Sequence, residues 1–132
     1  MIEMKYADFA WEQTAALLAI DSPSGYTKAA AQWVKQAFEA LGFRAEITVK
    51  GGVIIDLGGK DMNDGLLLEA HADTLGAMVA QIKGDGRLKL TNLGGMNPNN
   101  AEAENVKVYT RGGKVLNVST LVIYSERLIP IF

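Results

Sequence analysis

The chain has 132 residues and a mass of 14.2 kDa, the size of one domain or of two half-sized pieces. Thirteen Lys and Arg against fifteen Asp and Glu leave a net charge of −2, which offers neither a basic footprint for nucleic acid nor a polybasic patch for anionic lipid. The absence of cysteine excludes disulfides, zinc ribbons and thiol catalysis, and the presence of one histidine excludes any metal site that takes two histidines from a single chain. An apolar share of 48% with 21% charged residues is that of a globular protein, and it predicts a sizeable core.

The first forty residues read as helical. From Phe9 to Ile20 the chain is rich in Ala and Leu, with Phe9, Ala16, Leu17 and Ile20 on one face at helical spacing. Asp21-Ser22-Pro23-Ser24-Gly25 stops that helix, because Pro23 restricts Ser22 and has no N–H to give to a continuing ladder. A second helix is expected from about Ser24 to Tyr26 onward, with Ala30, Val34, Ala37, Phe38 and Leu41 as its apolar stripe and Gly42 as a left-handed terminator. After Gly42 the period changes to two. Arg44 to Val49, the turn Lys50-Gly51-Gly52 and Val53 to Leu57 predict a hairpin.

Beyond the polar loop from Gly58 to Gly65, Leu66-Leu67-Leu68 reads as a buried strand running to Ala70, since three consecutive large apolar residues leave no solvent face. Two more hairpins are expected. One runs from Ala77 to Lys83 and from Arg87 to Thr91, with Leu88 and Leu90 on one face; the other from Asn105 to Thr110 and from Lys114 to Val118, turning at Arg111-Gly112-Gly113. Helices mixed with strands thus precede hairpins without helices, which divides the chain into an α/β part and a small all-β part. The stretch from Val115 to Phe132 is apolar for a terminus, so it is expected to dock or to associate. The N-terminus lacks a secretory pattern and no run of about 18 apolar residues occurs, so the cytoplasm is the default compartment.

His71 is the sole imidazole and follows the predicted strand, at the end where open α/β sheets place their ligands. A period of two puts His71 and Asp73 on one face with Ala72 opposite. A carboxylate beside an imidazole can take the proton of one ring nitrogen and free the other for a metal. The bland alternative is a histidine paired with a structural aspartate, and such triplets are common. Ser22 and Ser24 sit in no nucleophile-elbow pattern, and Ser24 is expected to cap the second helix. The four Gly-Gly pairs form no phosphate loop and read as turns; Glu102 and Glu104 read as a solvated strand entrance, and Trp11, Tyr26 and Trp33 as packing residues.

The string Leu66-Leu67-Leu68-Glu69-Ala70-His71-Ala72-Asp73-Thr74-Leu75-Gly76-Ala77-Met78-Val79 resembles the first metal-ligand segment of the co-catalytic metallo-aminopeptidases, the family of glutamyl aminopeptidase, deblocking aminopeptidases and the tetrahedral TET assemblies. Ser22-Pro23-Ser24-Gly25-Tyr26 resembles that family's turn between its first two helices, and Gly86-Arg87-Leu88 with Leu93-Gly94-Gly95 the opening of its inserted β-barrel. Many members carry a glutamate where this chain has Thr74. The resemblance implies an α/β fold: residues 1–73 would be the N-terminal part of the metallopeptidase α/β domain with its two helices, and 74–132 part of a β-barrel-like dimerisation domain with a divergent tail.

It also implies that His71 is a ligand of one of two divalent metals, zinc or cobalt, with Asp73 orienting it. The family's chemistry is metal-assisted hydrolysis at peptide N-termini, with a glutamate as general base. In the family the remaining ligands and that glutamate follow the barrel, whereas this sequence stops within the matching region. The expectation is therefore an N-terminal fragment or frameshifted relative of a peptidase, inactive alone, associating with itself through the β part, with peptides as the family's substrates and no nucleic acid or membrane partner. Two other readings stand beside it: a non-catalytic oligomerisation or interaction module, and a small unrelated enzyme with His71 as general base.

Overall fold

The computed structural model describes residues 4–61, 63–119 and 128–129. By internal contacts the chain divides into two compact units, Met1–Thr74 and Leu75–Phe132. Together they make a small α/β protein of two helices and short antiparallel sheets.

In the first unit, α1 (Met4–Leu18) begins earlier than its apolar stripe suggests, because the residues before Phe9 are themselves compatible with a helix. It closes with Ile20 N–H donating to Leu17 C=O at 3.1 Å. The second helix, α2 (Lys28–Ala40), starts later than expected, after a turn in which Tyr26 N–H reaches Pro23 C=O at 2.7 Å and Gly25 takes φ +86°. Its N-cap is Thr27, which makes no side-chain capping bond, so Ser24 is not the cap.

The other end of α2 is built as the sequence requires. Gly42 N–H donates to Glu39 C=O at 2.9 Å and Phe43 N–H to Phe38 C=O at 3.1 Å, with Gly42 at φ +89°. This is a Schellman terminus, and its usual apolar clasp is present as an edge-to-face contact of Phe38 and Phe43 with ring centroids 6.3 Å apart. The clasp delivers the chain into β1 (Arg44–Ile47), antiparallel to β2 (Val53–Asp56), and α2 packs on this pair through the buried Ala30, Ala31 and Ala45 side of the unit.

The predicted strand from Leu66 to Ala70 is not formed. Leu66, Leu67 and Leu68 are 86%, 81% and 73% exposed, and no ladder includes them among the described residues. A strand needs a neighbour to take its N–H and C=O groups, and β1 and β2 bond only each other. The predicted sizeable core is likewise thin: among the described residues the buried apolar side chains are Ala30, Ala31, Ala45, Leu88 and Val118.

The second unit holds β3 (Gly76–Ile82), β4 (Leu88–Leu93), β5 (Asn105–Tyr109), β6 (Val115–Ser119) and β7 (Leu128–Ile129). β3, β4 and β7 form one antiparallel sheet with a bulge between Val79 and Gln81, and β5 and β6 form another. Backbone pairing of Leu128 and Ile129 with Lys89 and Leu88 gives part of the apolar tail a docking place, and the rest of the tail beyond Ser119 lies outside the described residues. Leu88 and Val118 are the centre of the core, ringed by Leu90, Val106 and Val108. This is the period-two pattern at work: Val106 and Val108 turn inward while Asn105, Lys107 and Tyr109 stay exposed.

One turn closes all three hairpins. Thr48, Lys83 and Thr110 each donate N–H to the C=O four residues on (Gly52, Arg87, Lys114) and accept from Gly51, Gly86 and Gly113, whose φ values are +86°, +86° and +79°. That is the three-residue loop with a left-handed third position, which only glycine fills without strain. In the β3–β4 turn, Asp85 adds a fork to Arg87, with Oδ2 2.6 Å from both Nε and Nη2. The Arg87 guanidinium holds the Asp85 carboxyl below its ordinary value. Because the folded-state value is lowered, this contact contributes above the unfolded value and is lost as pH falls through the folded one. Carbon-detected NMR titration is expected to place Asp85 below the ordinary aspartate range, and Arg87→Gln to bring it part of the way back, since the main-chain N–H of residue 87 still donates to Oδ1 at 3.1 Å.

Candidate functional site

The site is assembled from two segments about fifty residues apart. Pro23 pushes Ser22 into extended backbone, and an extended residue can pair with another chain segment. Here the partner is the stretch 72–74: Pro23 and Thr74 form a parallel bridge, and Thr74 N–H donates to Ser22 C=O at 2.9 Å. Ser22 is 1% exposed, and its hydroxyl donates to Ala72 C=O at 3.0 Å. The turn that follows brings Ser24 against Asp73, where the Ser24 hydroxyl donates to Oδ2 at 2.5 Å.

The other oxygen of Asp73 serves His71. Nδ1 of His71 lies 3.0 Å from Asp73 Oδ1 and 3.2 Å from the Asp73 main-chain oxygen. Both neighbours are acceptors, so Nδ1 carries the proton and the lone pair of the neutral ring is on Nε2. The His71 side chain is 87% exposed, which leaves Nε2 open to a ligand from solvent. Asp73 is held below its ordinary value, first by the Ser24 hydroxyl and then by the His71 hydrogen bond, so the carboxylate is the form this arrangement favours.

His71 and Asp73 are therefore brought together, although by a loop rather than by the strand their alternation suggested. Ser24, read from the sequence as a helix cap, instead holds the aspartate. No local signal marks that contact, because it joins residues 49 positions apart. Glu102 and Glu104 remain exposed near the start of β5, and among the described residues they belong to no group of three or more potential metal ligands.

A divalent metal is the group such a histidine suggests, and the donor set can be tested for it. One neutral imidazole with its second nitrogen fixed by a carboxylate is the arrangement of metal-bound histidines. Among the described residues, however, no group of three or more His, Cys, Asp or Glu side chains could hold an ion. The residues fit one corner of a metal site and not a closed cage.

A family model described as M42 glutamyl aminopeptidase matches residues 51–124, more than half of the chain and including His71 and Asp73. The chain belongs to the M42 aminopeptidase family. Among similar proteins, YhfE of Bacillus subtilis (strain 168), whose name proposes an aminopeptidase, is 37% identical over 106 residues, 80% of this chain and 31% of its own length. The glutamyl aminopeptidase of Lactococcus lactis subsp. cremoris (strain MG1363) is 31% identical over 111 residues, 83% of this chain and 31% of its own length. The chain thus spans about a third of the length of the curated relatives it matches. No helix among the described residues is long and apolar enough to cross a membrane.

Proposed function

We propose that this chain carries the first metal-ligand corner of an aminopeptidase that removes residues from the N-termini of peptides. The observation behind this is the His71–Asp73 pair, with Nδ1 engaged at 3.0 Å and Nε2 left for a cation. His71 would be the ligand and Asp73 the group that fixes its ring. When bound, a divalent metal, zinc or cobalt, supplies Lewis-acid polarisation of the scissile carbonyl. The chain's own contribution is to hold one lone pair in place and to keep the orienting carboxylate ionised. With one imidazole and no further donor cluster among the described residues, the chain by itself is not a catalyst.

The exposed Leu66 to Leu68 fits the same reading, since three consecutive large apolar residues suit a strand covered on both faces by a larger sheet domain. The second unit would be part of a barrel-like domain through which copies of the chain associate. The feature in favour is the two-stranded β5–β6 sheet, whose outer edges pair with no other strand among the described residues. An interaction module without catalysis would use that same surface.

Paramagnetic cobalt tests the metal corner. Added to the labelled chain, it is expected to broaden the amide and ring signals of residues 71–74 first, and His71→Ala is expected to abolish that selectivity. Broadening spread evenly over the acidic surface in both proteins would overturn the assignment.

A further inference from the structure

We propose that Ser24 is a positioning residue for His71: its hydroxyl clamps one oxygen of Asp73 so that the other stays on Nδ1, and the ring is thereby held in the tautomer that leaves Nε2 free. The inference gains its purpose from the reading of His71 as a metal ligand, but its physical content is independent of any metal.

The geometry divides the carboxylate cleanly. Oδ2 is taken by Ser24 at 2.5 Å and Oδ1 by His71 at 3.0 Å. An aspartate on an exposed loop can otherwise turn about its terminal torsion, whose preference is broad. It would then present either oxygen, or neither, to the imidazole. A free imidazole in water favours the proton on Nε2, the wrong nitrogen for a ligand whose Nε2 must bind, so holding it on Nδ1 takes a fixed acceptor. The Asp73 main-chain oxygen at 3.2 Å is one such acceptor, and the clamped Oδ1 at 3.0 Å is the shorter and the charged one, so the clamp adds to a preference the backbone begins.

Ser24 itself is well anchored. Its preceding residues are tied to 72–74 by the Ser22 hydroxyl, by Thr74 N–H and by the parallel bridge, and the turn to Tyr26 fixes the backbone on its other side. The clamp is therefore part of the framework that carries the histidine, and it moves with it.

The single histidine makes the test direct, because its ring nitrogens need no assignment. Two-bond proton–nitrogen correlation of the full chain, without metal and at a pH where the ring is neutral, is expected to show the Nδ1-protonated pattern. Ser24→Ala is expected to shift the tautomer ratio several-fold toward Nε2 protonation with a preserved amide spectrum, and Ser24→Thr, which keeps the hydroxyl, is expected to retain the parent pattern. If the alanine variant loses its fold, Ser24→Cys, similar in size and a weak donor, takes its place with the same expectation. An Nε2-protonated parent, or a ratio unmoved by removing the hydroxyl from a folded protein, overturns the proposal. Zinc added to the parent separates the two readings: a Ser24-dependent tautomer together with an Nε2 that ignores zinc would sink the metal assignment and leave the positioning role standing.

Discussion

Incubated with zinc or cobalt and then desalted, the purified chain is expected to retain substoichiometric metal and to show no hydrolysis of an aminopeptidyl anilide above the metal-only blank. The reason lies in ligand number. A catalytic zinc commonly takes about three protein ligands, and a pair of cations needs more even when one group bridges them. This chain has one imidazole, and both oxygens of the neighbouring carboxylate are already bonded, to Ser24 and to His71. The general base that the chemistry requires typically contributes about 10²–10⁴-fold, and among the described residues no group of three or more His, Cys, Asp or Glu side chains is placed to hold an ion for it to act beside. Elemental analysis beside the anilide assay checks the point. Two ions per chain with turnover would show that the corner closes into a complete site.

Leu88→Ala is expected to unfold most of the second unit. Leu88 is 2% exposed and lies at the junction of the two sheets, against Val118, Leu90, Val106 and Val108. Truncating a buried leucine costs about 2–5 kcal/mol, the transfer loss plus the cavity it leaves. A unit spanning residues 75–132 has roughly 3–9 kcal/mol in total at the usual 0.05–0.15 kcal/mol per residue, so the loss is a large fraction of it. Urea titration followed by amide NMR is expected to show the β3 to β6 signals collapsing at much lower urea. Leu68→Ala, at an exposed position, is expected to stay within about 0.5 kcal/mol of the parent. Equal behaviour of the two variants would mean that Leu88 does not clamp the sheets together.

The contrast between these leucines shows what was readable in the sequence. Leu88 and Leu90 declare their face through alternation, and the hairpin that carries them is specified within a few residues by a glycine in the left-handed loop position. Gly42 and the Phe38–Phe43 clasp are equally local. Leu66 to Leu68 declare only that they are apolar; whether they form a strand depends on a hydrogen-bonding neighbour that three leucines cannot encode. The site divides in the same way. His71 and Asp73 are two residues apart, so their contact was foreseeable, whereas the Ser24 hydroxyl meets Asp73 across a separation of 49 residues and cannot be found from either end. Capping is the natural local reading of a serine before a helix, and a distant acceptor wins because the turn from Pro23 to Tyr26 delays α2 to Lys28, which leaves Ser24 three residues short of the N-cap position.

The bridge from Ser22 and Pro23 to residues 72–74 also orders events in time. Each hairpin and helix of the chain can nucleate within its own neighbourhood, but this junction must first close a loop of about fifty residues, an entropic toll of roughly (3/2)RT ln n that no nearby contact repays early. The imidazole should therefore acquire its fixed orientation late in refolding and surrender it early when the protein is perturbed, which makes the His71–Asp73 corner a latecomer riding on a scaffold that is already in place.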